Sequence, residues 1–246
     1  MARPRVAIGS LTGDDHVLTG EDHHYLTRVL RVAVGDEVTL FDGAGGEAEA
    51  RIMAASPTEV HLRVLVRRAR AGALGARITL LVGLLKHDKM DWVVQKATEL
   101  GVAEIVPVAC ARAVVRLEGE RAASRAQRWQ KIASEATRQC GGARVPVVAE
   151  VQPFAAALAT TAELRLLFWE DARAAAGARA ALRGAPGAGS VAALIGPEGG
   201  FSEDEAASAV AAGWQAVGLG PRILRAETAA LAALTVLAWE VGDLAT

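Results

Sequence analysis

The rhythm of the apolar residues changes once along this chain, and that change limits what it can fold into. Up to about Arg68 the apolar residues alternate with polar ones in the stretches "DEVTLFDG", "EAEARIMA" and "EVHLRVLVRR", separated by Gly, Ser and Pro. A period of two puts successive side chains on opposite faces, so these stretches predict half-buried antiparallel strands. The segment "EDHHYLTRVLR" interrupts them with Tyr25, Leu26, Val29 and Leu30 at helical spacing. A small β-rich domain, a compact barrel over residues 1–70, is expected. The stretch "RRARAGALGAR", residues 67–77, carries small residues and arginines without periodicity and reads as a linker.

Beyond it the runs "ITLLVGLL", "AEIVPV", "LRLLFW", "VAALIG" and "AVGLG" alternate with helical stretches at 89–100, 121–139, 203–212 and 227–240. Continuous apolar strands separated by helices predict an α/β domain over residues 77–246, a parallel sheet with helices on its faces. Helix ends are written in the letters: Ser202 with Glu205 forms a capping box, Gly213 closes the helix that follows, and Gly101 closes "DKMDWVVQKATEL". That last helix carries an apolar stripe of Met90, Val93, Val94, Ala97 and Leu100.

Composition narrows the class. With 246 residues, 52% hydrophobic and 22% charged, the chain can bury a full core. No apolar stretch is long enough to cross a bilayer and the first fifteen residues lack the apolar core of a signal peptide, so a cytoplasmic protein without a membrane partner is expected. Cys110 and Cys140 are too few for a metal cluster and read as two buried thiols. His23 and His24 are neighbours whose rings would point about 100 degrees apart on a helix, so no metal site is expected. The net charge is −1, yet nearly all the cations are arginine, which leaves room for a basic face.

No G-x-x-x-x-G-K-[ST] phosphate loop is present. "GAGGEA", residues 43–48, satisfies a loose dinucleotide pattern, but a period-two strand follows it where that motif needs a helix, so it reads as a hairpin turn. "LIGPEGGFSEDE", residues 194–205, is different: it places Gly196, Gly199 and Gly200 with Pro197 and Glu198 between an apolar strand and a helix. "GLGPRILRAETAAL", residues 218–231, repeats that grammar, with Arg222, Arg225 and Glu227 at its mouth. In α/β sheets the carboxyl ends of strands line the ligand crevice. Two such loops predict one pocket built largely from main chain, with Lys86, His87 and Lys89 at a third strand-to-helix junction. Arg28 and Arg31, a turn apart on or just after the N-terminal helical insert, suit phosphate oxygens.

These two loops, together with "DKMDWVVQKATELGV", "RWQKIASEATRQCGGARVP" and the N-terminal "HHYLTRVLR" followed by "GD" and "FDG", resemble the RsmE family of ribosomal RNA methyltransferases over nearly the whole chain. The resemblance implies a SPOUT-type, trefoil-knotted C-terminal domain and an N-terminal PUA-like barrel. It implies methyl transfer from S-adenosylmethionine to N3 of a specific uridine in 16S RNA, by a homodimer acting on the small ribosomal subunit. An adenosine and a bent methionine tail need apolar walls and main-chain hydrogen bonds, which Ile195, Gly196, Pro197, Gly199, Leu219, Gly220, Ile223 and Leu224 offer.

Uridine N3 is mostly protonated at neutral pH, so transfer needs a proton acceptor or a cation that stabilises the developing anion. Glu198 is the candidate acceptor, with Glu227 the alternative and a structural role for Glu198 open. Arg225 is the candidate stabiliser. Arg28, Arg31, Lys86 and Lys89 are the expected RNA contacts. The sequence departs from the family at Gly142, where members carry arginine, with Arg138 or Arg144 as the nearest substitutes, and at Ala226, where members carry threonine. A knotted methyltransferase with another RNA target and a non-catalytic RNA-binding protein are the competing readings.

Overall fold

A computed structural model describes residues 3–68, 75–171, 177–185 and 187–244. The middle of the expected linker, residues 69–74, lies outside them. The chain forms two compact units: Met1–Gly72 with Thr137–Val145, and Ala73–Ala136 with Pro146–Thr246.

In the first unit β1 (Arg5–Ala7), β2 (Asp15–Thr19), β3 (Glu37–Phe41), β4 (Glu47–Ala55) and β5 (Glu59–Arg68) form one sheet in the order β1-β3-β4-β5-β2. The three alternating stretches are β3, β4 and β5, and they pair antiparallel as their period predicts. β1 instead lies parallel to β3. A parallel neighbour needs a crossover, and β2 with the helical insert supplies it. Two register shifts between β4 and β5 curl the sheet. The hydrogen-bonded path has β1 and β2 at its ends, and no pairing between these two is found among the described residues. Inward-facing Val38, Leu40, Ala50, Ile52, Val60 and Leu62 close on Leu26 of the insert, which is fully buried. "GAGGEA" is indeed the connection between β3 and β4, with Gly43 and Gly45 at positive φ.

The insert is α1 (Gly20–His24) running into a π-helical turn at Tyr25–Val29. It stops before Arg31, whose φ of 53° is left-handed. Arg28 and Arg31 are both exposed, but the wider π turn and the reversal at Arg31 mean that they do not share a regular helix face. Thr137–Val145 belongs to this unit as well. There Arg138 stacks over the Tyr25 ring and pairs with Asp22, and the Arg144 guanidinium lies against Gly45. The Gly142 carbonyl accepts a hydrogen bond from Arg5.

The second unit contains β6 (Arg77–Gly83), α2 (Lys89–Glu99), β7 (Glu104–Ala109), most of α3 (Gly119–Cys140), β8 (Val147–Val148), β9 (Gln152–Pro153), α4 (Phe154–Ala157), β10 (Leu164–Phe168), α5 (Ala178–Arg183), β11 (Ser190–Ile195), α6 (Glu203–Ala211), β12 (Gln215–Val217) and α7 (Ala226–Glu240). Its seven strands are all parallel, in the order β12-β10-β11-β6-β7-β8, with β9 also on β7. Every residue of β6 after Arg77 and of β11 after Ser190 is buried. Burial at successive positions requires cover on both faces, the arrangement expected of a parallel sheet. Met90, Val93, Val94 and Ala97 pack inward from α2, while Leu100 stays half-buried.

The capping box stands as expected: Ser202 accepts from the Glu205 amide at 3.1 Å and Glu205 from the Ser202 amide at 2.9 Å. The cysteine expectation is half right. Cys110 is buried, and burial together with nearby Glu205 pushes its thiol up to about 12. Cys140, the last residue of α3, is exposed because the helix ends there. Among the described residues no helix is long and apolar enough to cross a membrane.

Candidate active site

The two glycine-rich loops leave the sheet at the same level. β10 lies between β11 and β12, and its last residue, Phe168, is in register with Ile195 on one side and with Val217 on the other. Neighbouring strands are about 4.8 Å apart, so the loops start roughly 10 Å from each other. Between them β10 ends in Trp169 and Glu170. An open cleft is lined by Phe168, Trp169, Glu170, the loop 218–224 and Ala229 of α7.

Leu219, Gly220, Ile223 and Leu224 line this cleft. The first loop contributes differently. Ile195, Gly196 and Pro197 are buried, Gly199 is exposed, and none of the four lines the cleft. The loop packs behind Glu170 at Gly200, whose φ is +68° and whose absent Cβ would stand 2.2 Å from Oε1 of Glu170. A side chain there is excluded twice, by backbone conformation and by space. From below, a Cβ on Gly83 would stand 2.5 Å from the Pro197 nitrogen, so the end of β6 supports the loop by direct backbone approach.

Glu198 points back into the protein. Its Oε1 accepts the Lys86 amide at 3.1 Å and lies 3.5 Å from Nζ of Lys89, while Oε2 is buried without a partner. Partial burial pushes its carboxyl up, but the amides of Lys86 and Glu198 itself and the Lys89 ammonium outweigh that and hold it below the ordinary carboxylate value. Such a group stays ionised and is a weak proton acceptor at neutral pH. Nζ of Lys89 also donates to Oε2 of Glu227 at 3.2 Å. Lys89, expected at RNA phosphate, therefore ties the first loop to the first turn of α7. Lys86 gives its amide to the same anchor. Arg225 occupies the N-cap position of α7 and is exposed, as is Arg222 in the loop before it.

Phe168, Trp169 and Glu170 were not singled out from the sequence. The signal was there, an aromatic and a carboxylate closing the run "LRLLFW", but nothing in the chain order says that β10 lies between β11 and β12.

A parallel α/β domain with two glycine-rich loops side by side at the carboxyl edge of its sheet, and an open cleft at one of them, belongs to the nucleotide- and cofactor-binding class. Residues 73–238 match the RNA methyltransferase domain, and residues 18–65 match the RNA methyltransferase PUA domain. The chain belongs to this RNA methyltransferase family. It is 32% identical to the ribosomal RNA small subunit methyltransferase E of Bacillus subtilis over 228 residues, covering 91% of this chain and 89% of that protein. The enzyme of the same name from Mycobacterium bovis is 31% identical over 230 residues, covering 91% and 86%. Among solved structures, ribosomal RNA small subunit methyltransferase E from Neisseria gonorrhoeae bound to S-adenosyl methionine superposes with a TM-score of 0.87 at 32% identity, over 99% of this chain and all of that one. A putative methyltransferase from Legionella pneumophila in complex with the same cofactor gives 0.85 at 30% identity, over 99% of this chain and 100% of that one.

Proposed function

We propose that this protein transfers a methyl group from S-adenosylmethionine to N3 of a specific uridine of 16S ribosomal RNA, acting in the cytoplasm on the small ribosomal subunit. The observation that carries this reading is the cleft at the end of β10, lined by the loop that leaves β12 and with the loop that leaves β11 on the other side of Phe168, in a chain of this family. The chemistry of its lining suits the cofactor. Leu219, Ile223 and Leu224 offer apolar walls, the 218–224 main chain offers hydrogen bonds, and Glu170 offers a carboxylate to a cationic ligand.

When bound, the cofactor supplies a methyl group on a sulfonium that needs alignment more than activation. The protein's own part is then to hold the uracil ring and to favour its deprotonated form. We assign Arg225 to the second task, because an exposed guanidinium at the mouth of the cleft can meet the carbonyl oxygens that gain charge as N3 reacts. Glu198 and Glu227 are assigned, through Lys89, to holding the loop and α7 in place. The domains 1–70 and 77–246 divide the work into RNA binding and methyl transfer, with Thr137–Val145 going to the first. Arg28 and Arg31 are phosphate contacts in the first of these. A homodimer and a chain threaded as a trefoil knot complete the reading, and the insertion of β11 between β6 and β10 is consistent with such threading.

Mass spectrometry of ribosomal RNA nucleosides from cells with and without the gene tests the reading directly. The expected result is 3-methyluridine in 16S RNA only when the gene is present; an unchanged nucleoside profile overturns it.

A further inference from the structure

With Lys89 held by two carboxylates, the second unit needs other cations to grip RNA near the cleft. Between Arg112 and Lys131 the chain carries six cations and two anions, although its net charge is −1. α3 turns Ala126, Trp129 and Ala133 inward and leaves Arg121, Arg125, Arg128 and Lys131 exposed. These four follow one another by three or four residues, so their side chains emerge at intervals of about 5–6 Å along one helical stripe.

Two contacts tie the tract to the candidate active site. At its start, the Arg112 carbonyl would stand 2.8 Å from a Cβ on Gly199. The neighbouring Ala111 amide donates to Glu205 at 2.7 Å. Arg112 thus sits on the first glycine-rich loop. At its far end, Arg128 pairs with Asp91, which also accepts from Trp129 Nε1 at 2.9 Å. Asp91 is two residues beyond Lys89, at the start of α2. Among the described residues Arg112, Arg116, Arg121, Arg125 and Lys131 form no ion pair with this protein's own carboxylates.

We propose that the tract from Arg112 to Lys131 is a second RNA-binding surface, a track for the phosphates flanking the target nucleotide, centred on Arg121 and Arg125. A row of mostly unneutralised cations that begins against the first glycine-rich loop is complementary to a polyanion that must present one base near it. An acidic protein segment would meet the same charge but would have no reason to follow the stripe toward the cleft. The inference rests on the proposed RNA substrate and adds to it where that substrate runs.

The test replaces two exposed arginines outside the cofactor cleft, Arg121→Gln with Arg125→Gln, and measures binding to purified small ribosomal subunits as a function of salt. Loss of two phosphate contacts weakens binding by about tenfold or more at low salt, and flattens the slope of log K against log salt by roughly 0.7–0.9 per contact. S-adenosylmethionine affinity and kcat at saturating subunit stay unchanged, so the loss falls on KM for RNA. Unchanged affinity and slope in the double variant overturn the track. An equal loss in an Arg179→Gln, Arg183→Gln variant, which makes the same charge change on α5, overturns it too, by assigning the effect to overall charge. Failure of the wild-type protein to methylate any RNA would instead count against the proposed function, whatever the binding data show.

Discussion

At the scale of single residues, the site separates groups that look alike in the sequence. Glu198 and Glu227 are both carboxylates beside glycine-rich loops, and both are tied to one ammonium, that of Lys89. Arg225 has no such tie and stands exposed where α7 begins. Removing a group that stabilises charge only in the transition state costs about 10²–10³ in rate. Arg225→Ala is therefore expected to lower the single-turnover rate by that factor while S-adenosylmethionine affinity, measured by calorimetry, stays the same. A near-normal rate would remove Arg225 from the mechanism. The sequence placed Glu198, Arg225 and Glu227 in loops and helix starts at the carboxyl end of the parallel sheet. It did not separate their roles, because the role of Glu198 depends on an amide 112 positions away in the chain.

At the scale of elements, local rules were reliable wherever the element carries its own signal. The capping box at Ser202 and the glycine stops at Gly101 and Gly213 sit where the letters put them, since each satisfies orphan backbone groups within one turn. Glu205 does more than cap: its second oxygen accepts the Ala111 amide, fixing the turn after β7 against the start of α6. Ser202→Ala removes one of these bonds and is expected to lower unfolding free energy by about 1 kcal/mol. Denaturant titration that shows no change would mean that the Glu205 contacts alone hold the helix start. The elements that went unseen, β1, β2, β8, β9, α4 and α5, are two to six residues long. Runs so short repeat neither pattern often enough to be recognised, so tertiary pairing decides them. The π turn at Tyr25–Val29 went unseen for a related reason, because its apolar spacing is also that of an ordinary helix.

At the scale of the whole molecule, the class of each half was legible and the order of strands was not. The alternation of strands and helices after residue 77 implied a parallel sheet, and the sheet is parallel throughout. What no local pattern encodes is that β11 enters between β10 and β6, which sets the two loops side by side and makes the end of β10 the floor between them. Likewise, Thr137–Val145 returns to the first unit although the surrounding sequence belongs to the second. Both facts come from long-range pairing, whose loop-closure cost and reward lie outside any sequence window. The central claim depends on that strand order: the cleft over Phe168 holds the methyl donor, with Leu219, Ile223 and Leu224 around it and Glu170 beside it. A crystal structure of the protein with S-adenosylhomocysteine tests this most directly. The account predicts the nucleoside against the 218–224 loop and the sulfur within reach of both loops; a ligand bound elsewhere on the protein, with this cleft empty, would contradict it.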